Sequence, residues 1–129
     1  MAIAYVDASA LVKLVLAEPG SPSMRRWYVE NERVLTSRVG IVETNRAVSR
    51  FTHDPDQLTT VLRSVDVVEF DQEIAQRAAG IGPASLKTLD AIHLATALAL
   101  GGLLDAFVTY DDRQADAARL LGLPVIRPP

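Results

Sequence analysis

Four acids in this chain stand where a carboxylate either is costly or meets a ligand. Asp7 closes the β-branched run that begins at Ile3, and Asp111 follows Val108-Thr109-Tyr110. Both sit where a strand gives way to a helix, and in open parallel α/β sheets the ligand crevice lies beyond those strand ends. Each could equally be a helix cap, because a short carboxylate there accepts bonds from the free amides of the first turn. Glu43 and Asp90 have different surroundings. Val39 and Ala47 lie one helical turn either side of Glu43, and Leu86 and Leu94 flank Asp90 in the same way. Each carboxylate therefore rises from an apolar helical row. An unpaired buried carboxylate is costly, so each must find donors or face a cation. For Asp90 the first-turn amides of its own helix, with Thr88 as cap, are a sufficient alternative. Glu43, in mid-helix, has no such recourse.

Gathered at one end of a sheet, four carboxylates repel one another, and some hold protons unless a multivalent cation sits among them. Oxygen donors in a chain with no cysteine and two histidines favour magnesium or manganese over zinc or copper. Such a site suits phosphoryl-transfer chemistry, since bound cations activate water and hold attacking and leaving oxygens in line. The residues alone thus point to a metal-dependent phosphodiesterase or phosphotransferase.

The elements that must position these acids alternate. Strands are expected over residues 3–6, 34–36, 65–70, 106–109 and 124–126. Helices are expected over 9–16, through Arg26, Trp27 and Val29, over 38–51 with Ser37 as cap, and from the turn at 53–56 to Ser64. Three more run from the Asp71 cap to Ala79, over 86–100, and over 112–121 with Gly122 as stop. This alternation implies an α/β fold, a parallel sheet with helices on both faces, as one domain over 1–129. A net charge of −3 excludes a protein that coats nucleic acid by bulk charge, and the absence of cysteine excludes a disulfide scaffold. The longest apolar stretch, 94–104, is too short to span a membrane. The first residues lack a basic, cleavable leader pattern, so a cytoplasmic protein is expected. His93, three residues after Asp90, reads as a packing or hydrogen-bonding group in preference to a ligand or general base.

Four segments carry a family resemblance: Tyr5-Val6-Asp7-Ala8-Ser9-Ala10-Leu11-Val12-Lys13, Val42-Glu43-Thr44-Asn45-Arg46-Ala47, Leu89-Asp90-Ala91-Ile92-His93-Leu94-Ala95-Thr96-Ala97 and Val108-Thr109-Tyr110-Asp111-Asp112-Arg113. In order and spacing they resemble the motifs of the PIN domain as found in VapC-type toxins of bacterial toxin–antitoxin pairs. The resemblance implies a PIN-like, Rossmann-like three-layer α/β/α fold with a five-stranded parallel sheet. It also implies a Mg2+- or Mn2+-dependent endoribonuclease that leaves 3′-hydroxyl and 5′-phosphate ends. Asp7, Glu43 and Asp90 match the core catalytic and metal-binding acids, and Asp111 matches the fourth through its Thr-x-Asp pattern. Ser9 and Thr109 match supporting hydroxyls. Asp112 and Asp116 lie close to the fourth position, Asp112 favouring the helix start and Asp116 serving as a supporting or a solvated acid. The implied partners are an RNA substrate such as a transfer or ribosomal RNA, a VapB-type antitoxin that places an arginine among the acids, and a second copy in a homodimer. Two alternatives remain: a catalytically silent PIN-like binding module, and a phosphoacceptor domain of the response-regulator type. The latter wants paired acids after the first strand and a late lysine, whereas Asp7 is single and no lysine follows Lys87.

Overall fold

The structure, a computed structural model, describes residues 2–129; Met1 lies outside the described residues. β1 (Ile3–Val6) is the centre of a five-stranded parallel sheet. On one side lie β2 (Arg33–Ser37) and β3 (Asp66–Val68), and on the other β4 (Leu104–Val108) and β5 (Val125–Ile126), in the order β3-β2-β1-β4-β5. Strand order reverses between β1 and β4, the place where an open sheet leaves a crevice at its carboxyl ends. Phosphoacceptor signalling domains have a different order, 2-1-3-4-5, so this topology removes that alternative.

Both faces of β1 are covered, which is why it reads as an unbroken apolar run instead of an alternating one. Ala4 and Val6 point to one layer, with Leu11 of α1 (Ala8–Val12), Met24 of α2 (Ser21–Glu30), Val48 of α3 (Arg38–Val48) and Val61 of α4 (Pro55–Ser64). Tyr5 points to the other layer, with Leu94 of α6 (Thr88–Ala99), Ala117 and Ala118 of α7 (Asp112–Leu120), and Phe107. α5 (Gln72–Ala79) begins at the cap Asp71, whose side chain accepts from the Ile74 amide. Residues 91–97 are buried without interruption, as the all-round apolar character of that segment requires.

The sequence-derived boundaries shift at several elements, by a residue or two at β2, β4 and β5 and by more elsewhere. The helix expected over 9–16 stops at Val12, and Leu14, Val15 and Leu16 beyond it are all buried. Tight turns, Leu14 N to Leu11 O and Val15 N to Val12 O, turn all three inward. The helix expected to reach residue 51 stops at Val48, where Ser49 Oγ bonds the Arg46 carbonyl. β3 is shorter than expected, since Val65 ends α4 and Glu69 turns out to Arg38. α6 starts at Thr88 after Lys87, so Thr88 lies inside the helix and does not cap it.

α3 reaches the sheet through Gly40. A Cβ there would collide with Thr36 Oγ1 on β2 and stand 3.2 Å from His93 Cε1 on α6. Alanine in a helix interior ordinarily stabilises relative to glycine by about 1 kcal/mol. At Gly40 the sign reverses, because the Thr36 hydroxyl is itself fixed on the Val6 carbonyl at 2.8 Å and cannot retreat. Gly40→Ala is expected to lower the melting temperature, measured by thermal denaturation; a rise would show that α3 can slide without loss.

Candidate active site

Asp7 is buried at the end of β1 and caps α1. Its Oδ1 accepts from Ser9 Oγ at 2.6 Å and from the Ala10 amide at 3.2 Å, and its Oδ2 accepts from Thr109 Oγ1 at 2.5 Å. Those hydroxyls are held in turn: Ser9 Oγ accepts from the Tyr110 amide at 2.8 Å and Thr109 Oγ1 from the Asp111 amide at 3.1 Å. The loops after β1 and β4 are thus stitched together through one carboxylate. Burial pushes the Asp7 carboxyl above the usual range, opposed by its three donors. Helix cap and candidate ligand are the same group.

Glu43 projects from α3 with its side chain a quarter exposed, and its Oε1 lies 2.5 Å from His93 Nε2. The other ring nitrogen, Nδ1, is 2.5 Å from the Tyr5 hydroxyl, which accepts from the Ser37 amide at 3.1 Å. His93 is a hydrogen-bonding group, in line with its sequence reading. Tyr5 is the residue the sequence reading missed at this end of the sheet. Tyr5 lies two residues before Asp7 and His93 one helical turn beyond Asp90, but nothing local to either segment pairs them.

Asp90 stands in the first turn of α6, half-buried. Burial raises its carboxyl pKa most, and the charges of Asp111, then Asp7 and Glu43, raise it further. Among the described residues no hydrogen-bond donor reaches it, so the first-turn amides do not satisfy it as the alternative reading required. Asp111 is exposed and caps α7, its Oδ1 accepting from the Arg113 and Gln114 amides at 2.9 and 3.1 Å. Asp112 turns away to Arg127 Nη1 at 2.7 Å, and Asp116 pairs with Arg119 at 3.4 Å while lining the same cleft as Asp90.

The four acids share one electrostatic field, yet among the described residues no three His, Cys, Asp or Glu side chains already form a cation cage. The donor set nonetheless fits a divalent cation. Asp90 carries a half-buried charge that three neighbouring carboxylates oppose and no donor relieves, and a hard cation among oxygen ligands removes that repulsion.

Two clefts flank the acids. One, of about 400 Å³, runs beside Glu43 and carries Arg46 and Arg50; the other, of about 440 Å³, runs beside Asp90 and carries Lys87 and Arg113. These four cations have no carboxylate partner among the described residues, whereas Arg33, Arg38, Arg77, Arg119 and Arg127 are all paired. Lys87, one turn before Asp90, had not been singled out.

The raised pKa of Asp90 fixes a sign. A folded state that holds this proton more tightly than the unfolded chain loses stability as pH rises from the ordinary value of 3.8 through the raised one. Asp90→Asn cannot ionise and escapes that loss. In chelator, the variant is expected to melt higher than the parent at about pH 8, the gap closing below about pH 4. Equal melting curves at both pH values would show that the carboxylates do not interact.

The sequence matches the PIN domain family over residues 4–120. It is 40% identical over 129 residues to ribonuclease VapC46 of Mycobacterium tuberculosis, covering 99% of each chain. The fold resembles VapC20 of Mycobacterium tuberculosis, a Sarcin-Ricin loop cleaving toxin, with a TM-score of 0.72 at 16% identity over 88% of this chain and 94% of that one. It also resembles a chain of a toxin–antitoxin complex from Klebsiella pneumoniae, with a TM-score of 0.70 at 21% identity over 98% of each. At those identities the structural likeness concerns the fold, while the sequence match extends over nearly the whole chain. The chain belongs to the PIN domain family.

Proposed function

We propose that this protein is a Mg2+- or Mn2+-dependent endoribonuclease of the VapC type, a toxin restrained by a VapB-type antitoxin. The observation that carries the reading is the half-buried Asp90 carboxylate, repelled by Asp111, Asp7 and Glu43 at the switch point of the sheet. Asp7, Glu43, Asp90 and Asp111 are the residues that would hold the cation. Bound there, magnesium or manganese supplies the charge that activates water near neutral pH and offsets the charge building on a phosphodiester. The name of the relative VapC46 supports ribonuclease activity.

The chain's own groups have separable tasks. Ser9 and Thr109 fix both oxygens of Asp7, so that carboxylate does not reorganise when substrate arrives. Arg46 and Arg50 on one side of the acids, and Lys87 and Arg113 on the other, are placed to take backbone phosphates of a strand crossing the site. Unpaired guanidinium groups suit that task through their planar fork. The exposed apolar side chains Val42 and Leu89 border the Glu43 cleft and offer contact area to bases or to a partner segment. An acidic pocket with apolar walls also suits an arginine fork carried by an antitoxin. Homodimer formation is part of the same proposal.

The test is end-mapping of total RNA after incubation with purified protein and Mn2+ or Mg2+, beside Asp7→Asn and a chelator control. Discrete new 5′-phosphate ends that need both the metal and Asp7 are the expected outcome. No new ends from folded, partner-free protein would leave a binding module or a DNA-directed nuclease as the better reading. In cells, expression without a partner is expected to arrest growth, and Asp7→Asn or Asp90→Asn to relieve the arrest. Tolerated expression of the parent would remove the toxin role while leaving the nuclease.

A further inference from the structure

We propose that Tyr5 and His93 are positioning residues: the Tyr5 hydroxyl locks His93 as the Nε2–H tautomer, and the imidazole in turn holds Glu43 in place for the cation. The proposal rests on the metal-site reading above. It begins from an asymmetry among the acids. Asp7 is held through both oxygens by three donors, and Asp111 by two amides, but Glu43 has a longer side chain and a single donor among the described residues, His93 Nε2.

The direction of each hydrogen bond in the relay follows from donor bookkeeping. The Ser37 amide can only donate, so it donates to Tyr5 Oη. The hydroxyls of Thr36 and Thr96 give their protons to the carbonyls of Val6 and Ile92 at 2.8 and 2.6 Å. The Thr36 and Thr96 oxygens also lie near the Tyr5 hydroxyl, but its short contact, at 2.5 Å, is to His93 Nδ1, and the proton goes there. A phenol carries its proton at neutral pH, so that proton is present to be donated. With Nδ1 accepting, the neutral ring carries its proton on Nε2, the nitrogen that faces Glu43 Oε1. The opposite tautomer would set a bare nitrogen lone pair against a carboxylate.

The relay is also rigid. Tyr5 is fully buried and stacked on Phe107, with ring centroids 5.5 Å apart and planes 9° from parallel, and it meets His93 edge-on at 5.7 Å. It connects β2, β1, α6 and α3 by way of Ser37, Tyr5, His93 and Glu43. The strand of Asp7 and the helix of Asp90 are thereby tied to the helix of Glu43. Both ring nitrogens of His93 are committed, which leaves neither free to serve as ligand or general base in this arrangement.

The experiment pairs 15N spectra of the His93 imidazole in metal-free protein with Mn2+ titrations of the parent, Tyr5→Phe, His93→Leu and His93→Gln. The parent is expected to show a protonated Nε2 and a bare, hydrogen-bonded Nδ1, and Tyr5→Phe to shift the Nδ1 resonance. Loss of a group that orients a metal ligand typically lowers metal affinity about 10- to 100-fold, and that is the expected loss in His93→Leu. Tyr5→Phe is expected to weaken Mn2+ binding by a smaller factor. His93→Gln, whose side-chain amide can donate where Nε2–H donates, is expected to recover most of the affinity, a rescue that a purely structural role would not give. In RNA cleavage the relay variants are expected to lower kcat with KM for RNA little changed. A protonated Nδ1 in the parent, or Tyr5→Phe and His93→Leu both binding Mn2+ as the parent does, overturns the relay alone. If His93→Leu fails to fold, Tyr5→Phe and the parent spectrum decide. A parent that binds no Mn2+ overturns the metal-site reading and this inference with it.

Discussion

Asp7 carries a carboxylate at a position with almost no water around it, beside the half-buried Asp90 whose charge it opposes. Burying such a charge costs several kcal/mol unless donors surround it. The chain meets that cost with two hydroxyls and a backbone amide, drawn from the turns after β1 and β4. Those turns are placed where the strand order reverses, so the cost falls at the one point where the sheet leaves room for a ligand. The remaining acids arrive from helices. Gly40 lets α3 approach closely enough for Glu43 to reach His93, and the start of α6 brings Asp90 beside both. The packing of this end of the molecule is organised around a charge that the fold alone does not neutralise.

Local pattern made much of this legible. Glu43 in an apolar helical row and Asp90 at the head of the most apolar helix were visible because a carboxylate there breaks a period. Asp7 and Asp111 were visible as caps after strands, and they do cap; chemistry and capping use the same oxygens and cannot be separated by sequence. Helix ends were less readable. The stop of α1 at Val12 depends on which of Leu14, Val15 and Leu16 the sheet can cover, and that is a tertiary matter. The contacts of Asp112 with Arg127 and of Tyr5 with His93 join distant parts of the chain, and no local pattern encodes them.

Charge is sorted in space more than its sum implies. A net −3 describes a mildly acidic chain, yet several arginines on the outer surface are matched to carboxylates while Arg46, Arg50, Lys87 and Arg113 are left unmatched beside the acids. Exposed ion pairs of this kind contribute little to stability. The effect here is on the field: the four unmatched cations form two short cationic edges beside an anionic centre, which an approaching polyanion meets together.

The bond from Thr109 to Asp7 spans 102 residues. A chain ending short of Thr109 cannot hold Asp7 in this way, and it also lacks β4, the strand that shields one edge of β1. Long-range contacts form late because loop closure must precede them. During synthesis, therefore, the acids at positions 7, 43 and 90 leave the ribosome before the segment that organises the first of them. The cluster of acids is completed only as β4 and Thr109 emerge, which separates in time the appearance of the carboxylates from their arrangement.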